Sequence, residues 1–137
     1  MFGPAPEKSA TDAAGTKAPV NSILVVDDEF DSRRALEILL ELHGFDVTPA
    51  ANGAEALHIL RDRKFDIILT DWMMPVMSGQ ELLARLSAEK IAEGAPVVVL
   101  TAAAEAVSSL GPACARVMGK PFDIWALLST IEELLPH

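Results

Sequence analysis

Short apolar runs alternate with amphipathic stretches along the chain from residue 22 onward. Residues 23–26 are continuously apolar, which is the pattern of a strand buried on both faces of a sheet. The predicted strands cover residues 23–26, 45–48, 65–70, 96–100 and 113–118, and the predicted helices cover residues 31–43, 54–63, 80–92, 103–110 and 123–135. The pattern therefore predicts five successive strand–helix units.

Strands that are each followed by a helix favour a parallel sheet covered on both faces. Right-handed crossovers then favour an α/β, doubly wound, flavodoxin-like (βα)5 architecture with a five-stranded parallel sheet in strand order 2-1-3-4-5. In such a sheet, ligands bind beyond the carboxyl ends of the strands, near the switch point between strands 1 and 3. The residues that end strands 1, 3, 4 and 5 are therefore the candidates for function.

Polar side chains stand at each of those strand ends. Asp27 and Asp28 end strand 1, Asp71 ends strand 3, Thr101 ends strand 4, and Lys120 follows strand 5. Any one of them could be a helix cap or a solvated strand end, and Asp28 could cap the first helix. Capping does not explain why three carboxylates, a hydroxyl and an ammonium converge on one crevice.

The chemistry of that crevice points to phosphoryl transfer. Three nearby carboxylates repel one another and raise one another's pKa, and a divalent cation with oxygen ligands removes the repulsion. Mg²⁺ suits such a site, with Mn²⁺ as a substitute. Lys120 adds a positive charge and Thr101 adds a hydroxyl donor. A carboxylate nucleophile with a metal, an ammonium and a hydroxyl is the equipment of a phosphoryl site.

Composition sets further limits. The 137 residues predict one folded domain over residues 22–137, preceded by a flexible tail over residues 1–21 that is rich in Ala, Pro, Gly, Ser and Thr. The 20 Asp and Glu residues outnumber the 11 Lys and Arg residues, and the net charge of −9 argues against nucleic-acid and membrane partners. The single cysteine excludes an intrachain disulfide. Without a secretory signal or a long apolar run, the expected location is the cytoplasm.

The strand-end residues belong to four motifs by which the sequence resembles a response-regulator receiver domain of two-component signalling. The matching segments are residues 23–29, 66–75, 98–102 and 120–122, and the resemblance covers about residues 22–135. It implies that Asp71 is the phosphoacceptor, that Asp28 binds Mg²⁺ directly, and that Asp27 helps to hold the ion. It also implies that Met73 contributes its backbone carbonyl to the metal.

The resemblance further implies how the phosphoryl group is handled. Thr101 would bond a phosphoryl oxygen, and Lys120 would form an ion pair with the group, its ammonium aimed by a cis peptide bond to Pro121. The donor would be a sensor histidine kinase or a histidine phosphotransfer protein. Output would be contact with an unknown downstream protein or onward phosphotransfer, from a monomer or weak dimer. Self-phosphorylation and self-dephosphorylation would be the only chemistry, so the chain is not expected to be an enzyme.

Two departures from the family pattern keep an alternative open. Val117 stands where receiver domains commonly carry Tyr or Phe, and Lys120 follows Thr101 by about 19 positions, which predicts a short or irregular fourth helix over residues 103–110. Both weaken the usual switch and the usual dimerisation face. A receiver-like scaffold that signals without phosphorylation therefore remains the alternative.

Two other classes fail on particular residues. A phosphatase of the haloacid dehalogenase type needs a second Asp two places after the nucleophile, and Met73 stands there. A flavin- or nucleotide-binding module needs a phosphate loop after strand 1, where the carboxylates of residues 27–29 would repel a phosphate.

The first predicted helix carries two apolar stripes. One must pack on the sheet, and the other is either core or partly exposed. In the family, kinase partners dock at the start of this helix, which implies a docking surface of Phe30, Ser32, Ala35 and Pro121. Trp125 is expected to pack as part of the last helix.

Overall fold

A five-stranded parallel sheet runs through the protein, of which this computed structural model describes residues 20–102 and 114–135. The strands are β1 (Ser22–Val26), β2 (Asp46–Ala50), β3 (Ile67–Asp71), β4 (Val97–Thr101) and β5 (Cys114–Gly119). The helices are α1 (Phe30–Leu42), α2 (Gly53–Asp62), α3 (Gly79–Glu89) and α4 (Ile124–Leu134). The sheet order β2-β1-β3-β4-β5 confirms the predicted doubly wound, flavodoxin-like fold. The predicted helix over residues 103–110 and residues 1–19 of the predicted tail lie outside the described residues.

Helices cover both faces of the sheet, which is why the strands are continuously apolar. On one face, Leu24 and Ile68 pack with α2 and α3 in one buried cluster. On the other face, Ile23 and Leu69 pack with α1 and α4 in a second cluster. Successive residues of each strand therefore belong to the buried clusters on opposite faces of the sheet. The carboxyl ends of the strands lie beyond both helical layers.

The edge strand β2 differs from its predicted extent over residues 45–48. It runs from Asp46 to Ala50 and includes Pro49, which pairs with Val25 of β1. The N–H of Asp46 donates to the carbonyl of Asn21, and the carbonyl of Ala50 accepts from the N–H of Asp27. The backbone N–H and carbonyl groups of the even-numbered β2 residues therefore point toward β1. Pro49 therefore faces the open edge, where its missing N–H removes no ladder hydrogen bond.

Helix α3 begins in a capping box and ends earlier than the predicted residue 92. The Ser78 side chain accepts from the N–H of Glu81 at 3.1 Å, and the Glu81 carboxylate accepts from the N–H of Ser78 at 3.3 Å. At the other end, Lys90 adopts the left-handed conformation with φ of 55° and stops the helix after Glu89. Apolar residues beyond Lys90 continue the helical pattern, which is why the sequence predicts a later end.

Helices α2 and α4 begin at capped positions. Asn52 accepts from the N–H of Glu55 at 2.8 Å, so α2 starts at Gly53, one residue before the predicted start. The Asp123 side chain accepts from the N–H of Trp125, so α4 starts at Ile124, one residue after the predicted start. Among the helices that the structure describes, the longest has 13 residues, and none has the length and apolar character required to span a membrane.

The second apolar stripe of α1 lies at the surface. Leu36 and Leu40 are buried against the sheet, as one stripe must be. The exposed stripe comprises Ile38, Leu39 and Leu42, with exposed fractions of 43%, 38% and 75%. Of the two alternatives left open by the sequence, partial exposure is therefore the one observed.

Trp125 does not pack into the core. Its side chain is 65% exposed, and its ring meets the His43 ring edge-on with centroids 5.7 Å apart. Trp125 thus packs at the surface against the end of α1, while the core contacts of α4 come from Leu127 and Ile131 on another face of the helix.

Candidate functional site

Three carboxylates meet at the carboxyl edge of the sheet. Strands β1 and β3 are neighbours with Val26 opposite Thr70, so the next residues, Asp27 and Asp71, come side by side. One carboxylate oxygen from each of Asp27, Asp28 and Asp71 lies within 4.8 Å of the others. The structure thus brings together the three acidic residues that the sequence singled out.

Asp27 is buried and held through both its side chain and its backbone. Its Oδ1 accepts from the N–H of Glu29 at 3.0 Å, and its carbonyl accepts from the Arg33 guanidinium at 2.8 Å. The N-cap position of α1 is Glu29 rather than Asp28, so capping does not account for Asp28. Sequence reasoning missed Arg33, since a helical arginine carries no pattern that marks such a contact.

Lys120 closes the opposite side of the pocket. Its Nζ lies 3.3 Å from Asp71 Oδ2 and 3.9 Å from Asp27 Oδ2. Its backbone N–H donates to the carbonyl of Thr101 at 2.8 Å, which ties the end of β5 to the end of β4. The peptide bond from Lys120 to Pro121 is cis, as predicted.

Asp71 is a half-buried carboxyl with an altered pKa. Its Oδ1 accepts from the N–H of Trp72 at 3.0 Å. Burial raises the pKa of Asp71 above the usual 3.8, Lys120 pulls the pKa down, and Asp27 pushes it up. Burial is the largest of these influences, so the charged form of Asp71 is under-stabilised by the protein alone.

Thr101 and Met73 flank this cluster. Leu100 of β4 lies opposite Asp71, so Thr101 stands one residue further along the neighbouring strand, where it is buried. Met73 lies two residues beyond Asp71, and its side chain is 72% exposed. The exposed side chain agrees with a position whose predicted contribution is made by the backbone.

A glycine makes close packing possible beside Asp71. A β-carbon on Gly79 would lie 2.5 Å from the Asp71 carbonyl oxygen, so no other residue fits there without a shift. That carbonyl also accepts from the Thr70 hydroxyl at 2.9 Å, and the Gly79 N–H donates to the Trp72 carbonyl at 2.9 Å. Hydrophobic patterning along the sequence does not mark Gly79 as part of the site. Its place directly after the Ser78 cap was the available signal.

The donor set fits a hard divalent cation. The three carboxylates outnumber the ammonium of Lys120, which lies within 4 Å of Asp27 and Asp71. Carboxylate oxygens are the ligands that Mg²⁺ and Mn²⁺ take in proteins. Asp27, Asp28 and Asp71 could therefore hold a metal ion.

Comparison with known proteins agrees with this geometry. A family model described as a response regulator receiver domain matches residues 23–132. The chain belongs to this family. It is thus a receiver domain of the kind found in two-component response regulators, which confirms the resemblance inferred from the sequence.

Particular relatives show how much of each protein the domain represents. The response regulator receiver protein CpdR of Brucella abortus is 39% identical over 82% of this chain and 95% of its own length. The phosphate regulon transcriptional regulatory protein PhoB of Pseudomonas aeruginosa is 34% identical over 83% of this chain, which spans about half (51%) of the length of PhoB. The response regulator TrrA of Thermotoga maritima, solved in complex with Mg²⁺-BeF, has a TM-score of 0.76 at 32% identity, over 85% of this chain and 100% of that chain.

The departure at Val117 has a defined place in the fold. Val117 lies in β5 opposite Val99 and packs, half-buried, against the cluster under α2 and α3. The crossover from β4 to β5, where the sequence predicts a short helix, lies outside the described residues.

Proposed function

We propose that this receiver domain accepts a phosphoryl group on Asp71 from a phosphohistidine of a sensor histidine kinase or histidine phosphotransfer protein. The observation that carries the proposal is the position of the Asp71 carboxylate, between the Lys120 ammonium at 3.3 Å and the acidic pair Asp27 and Asp28. A nucleophile beside a fixed cation and a candidate metal cluster is suited to phosphoryl transfer.

The chain's own residues account for the steps. An Asp71 oxygen attacks phosphorus as the phosphorus–nitrogen bond of the donor breaks, and the electron pair of that bond returns to the imidazole. Lys120 offsets charge on the phosphoryl oxygens, and Thr101 supplies a hydroxyl donor to one of them. Held by Asp27, Asp28, Asp71 and the Met73 carbonyl, a Mg²⁺ or Mn²⁺ ion would supply the remaining positive charge.

The comparison with TrrA supports a metal at this site. That protein was solved with Mg²⁺-BeF, and it shares the fold at 32% identity. In the present chain the carboxylates of Asp27, Asp28 and Asp71 form a cluster of oxygen donors that could hold such an ion. We carry the metal over to this chain as part of the proposal.

The surface of α1 supports docking of the phosphodonor. Phe30 opens the helix beside the acidic pair, is 64% exposed, and lies under the Arg33 guanidinium at 5.5 Å from the ring centroid. Ala35 and Pro121, from the predicted docking surface, are also exposed, whereas Ser32 is half-buried. The exposed apolar stripe of α1 continues this surface, and it suits the apolar face of a helical partner.

Output and location complete the proposal. Phosphorylation adds charge at one edge of the sheet and biases a two-state element there, which alters contact with a downstream protein or permits onward phosphotransfer. The chain acts as a monomer or weak dimer in the cytoplasm. It catalyses only its own phosphorylation and dephosphorylation, so it is not an enzyme acting on separate substrates.

The alternative function is a scaffold that signals without phosphorylation. Val117 is the observation that favours it, because a half-buried valine lacks the aromatic ring with which receiver domains commonly report the state of the site. The intact set of Asp71, Lys120 and the acidic pair favours phosphorylation.

Fluorescence of Trp72 tests the proposal directly. Trp72 follows Asp71, and Trp125 is the second of the two tryptophans in the sequence, so a Trp125→Phe background isolates the emission of Trp72. We expect emission to change on addition of Mg²⁺, and again on addition of beryllofluoride or acetyl phosphate. The second change should be absent in Asp71→Asn. A wild-type chain that shows no metal response and gains no hydroxylamine-labile phosphate from any donor would contradict the proposal and favour the scaffold function.

A further inference from the structure

The loop between β3 and α3, residues 72–78, is held at two points by backbone N–H groups of glycines. Gly79 donates to the Trp72 carbonyl at 2.9 Å, and Gly53 donates to the Met77 carbonyl at 3.2 Å. Gly53 is the first residue of α2, which lies on a different part of the chain. Its N–H is one of the groups that an α-helix leaves without an internal partner at its start, and here the loop carbonyl uses it.

No side chain fits at Gly53 while the loop keeps this position. A β-carbon there would lie 2.6 Å from the Met77 carbonyl oxygen and 2.9 Å from Met77 Cγ. The nearest atom belongs to the backbone, so a change of side-chain rotamer cannot relieve the clash, and the backbone contact between the loop and the start of α2 must shift. The close approach, rather than a left-handed backbone conformation, is therefore what requires glycine here.

We propose that Gly53 is a positioning residue for the loop that carries Met73, and thereby for the metal site beside Asp71. The inference rests on the proposed function, in which the Met73 carbonyl binds Mg²⁺. Met73 lies between the two held points of the loop, so displacement of the loop at Met77 changes where that carbonyl stands. Because coupling between two equilibria is reciprocal, metal binding should also strengthen the hydrogen bond from Gly53 to Met77.

Substitution by alanine separates this role from an ordinary effect on the helix. Alanine has a higher helix propensity than glycine, so a residue that served only α2 would tolerate or favour Gly53→Ala. A residue that positions the loop would instead lose metal affinity. A role confined to α2 therefore predicts an unchanged Kd for Mg²⁺ in Gly53→Ala, whereas the positioning role predicts a higher Kd.

The test is a Mg²⁺ titration followed by Trp72 emission in the Trp125→Phe background. We expect Gly53→Ala to raise the Kd for Mg²⁺ at least about fivefold. The matched control is Gly44→Ala, because Gly44 has a φ of 93° and, apart from its two chain neighbours, no described residue has an atom within 4 Å of a β-carbon there. Gly44→Ala should lower thermal stability through backbone strain and leave the Kd for Mg²⁺ unchanged.

A double variant distinguishes the two contacts at Gly53. Gly53→Ala with Met77→Ala removes the crowding by Met77 Cγ but keeps the carbonyl clash, so the Kd for Mg²⁺ should stay high. Full recovery of the wild-type Kd in the double variant would overturn the backbone role, as would an unchanged Kd in a folded Gly53→Ala.

Amide hydrogen exchange provides a readout that needs no variant. In the wild-type chain, Mg²⁺ should slow exchange of the Gly53 N–H by about fivefold or more. Binding of Mg²⁺ without such slowing would refute the positioning role and leave the proposed function intact. A wild-type chain that does not bind Mg²⁺ at all would refute the proposed function itself.

Discussion

The Asp71 carboxyl, the proposed phosphoacceptor, is a residue whose charged form lowers the stability of the fold. It is partly buried, lies close to the Asp27 carboxylate, and has the Lys120 ammonium at 3.3 Å as its compensating charge. Burial prevails and raises the pKa of Asp71, so the folded chain holds this proton more tightly than the unfolded chain. Ionisation of Asp71 therefore lowers the stability of the metal-free protein as pH rises through the folded-state pKa.

Asp71→Asn should accordingly stabilise the metal-free fold at neutral pH. The variant removes the ionisable group but keeps the shape, so we expect its melting temperature at pH 7 in EDTA to exceed that of the wild type by a few degrees. The gain should vanish as the pH falls below the unfolded-state pKa of about 3.9, where the carboxyl is protonated in both states. A lower melting temperature at pH 7 would mean that attraction to Lys120 outweighs burial.

Single residues also mark where prediction from sequence ends. Asp27, Asp28, Asp71 and Lys120 could be predicted because each follows an apolar strand, and parallel strands bring their carboxyl ends to one edge. The contact of Arg33 with the Asp27 backbone could not be predicted, because it depends on the rotamer of a long helical side chain.

Elements were predicted well in their interiors and less well at their ends. Apolar periodicity located every described strand and helix, because burial dictates it. The ends depend on local backbone chemistry instead: Lys90 stops α3 in a left-handed conformation, and Pro49 continues β2 where a proline normally signals a break. The pairing of Gly53 with Met77 is invisible to periodicity, since it joins two elements through backbone atoms.

The contribution of the α3 capping box to the free energy of unfolding can be measured with substitutions of Ser78. Ser78→Ala removes the side-chain acceptor for the Glu81 N–H at 3.1 Å, and we expect it to lower the free energy of unfolding by about 1 kcal/mol. Chemical denaturation at fixed pH measures the loss. Ser78→Asp should retain most of the stability, because aspartate is an equally good cap. Equal losses in both variants would show that the hydroxyl serves something other than the cap.

At the scale of the whole molecule, the alternation of strands and helices predicts the layered fold. The contribution of the three carboxylates to the stability of that fold depends instead on the ligand bound to them. A ligand that binds only the folded chain stabilises it, by about 2.7 kcal/mol at about a hundredfold excess over its Kd. The net charge of −9 and the cluster of three carboxylates make a divalent cation a suitable ligand of this kind.

Asp28→Ala tests this linkage between metal and fold. Removing one of three mutually repelling carboxylates should raise the melting temperature in EDTA and weaken the further rise that Mg²⁺ produces in the wild type. Thermal melts with and without Mg²⁺ measure both effects. A variant that is only destabilised, with its dependence on Mg²⁺ intact, would contradict the assignment of Asp28 as a metal ligand.

Pro49 has a consequence for self-association. A strand that paired with the open edge of β2 would meet the Pro49 ring where it needs a backbone N–H donor. One carbonyl of that strand would then be buried without a hydrogen-bond partner. Fibre-like growth of the sheet from this side is thereby discouraged. Any copy of the chain that extends the sheet by strand addition should do so along β5, at the far margin from β2.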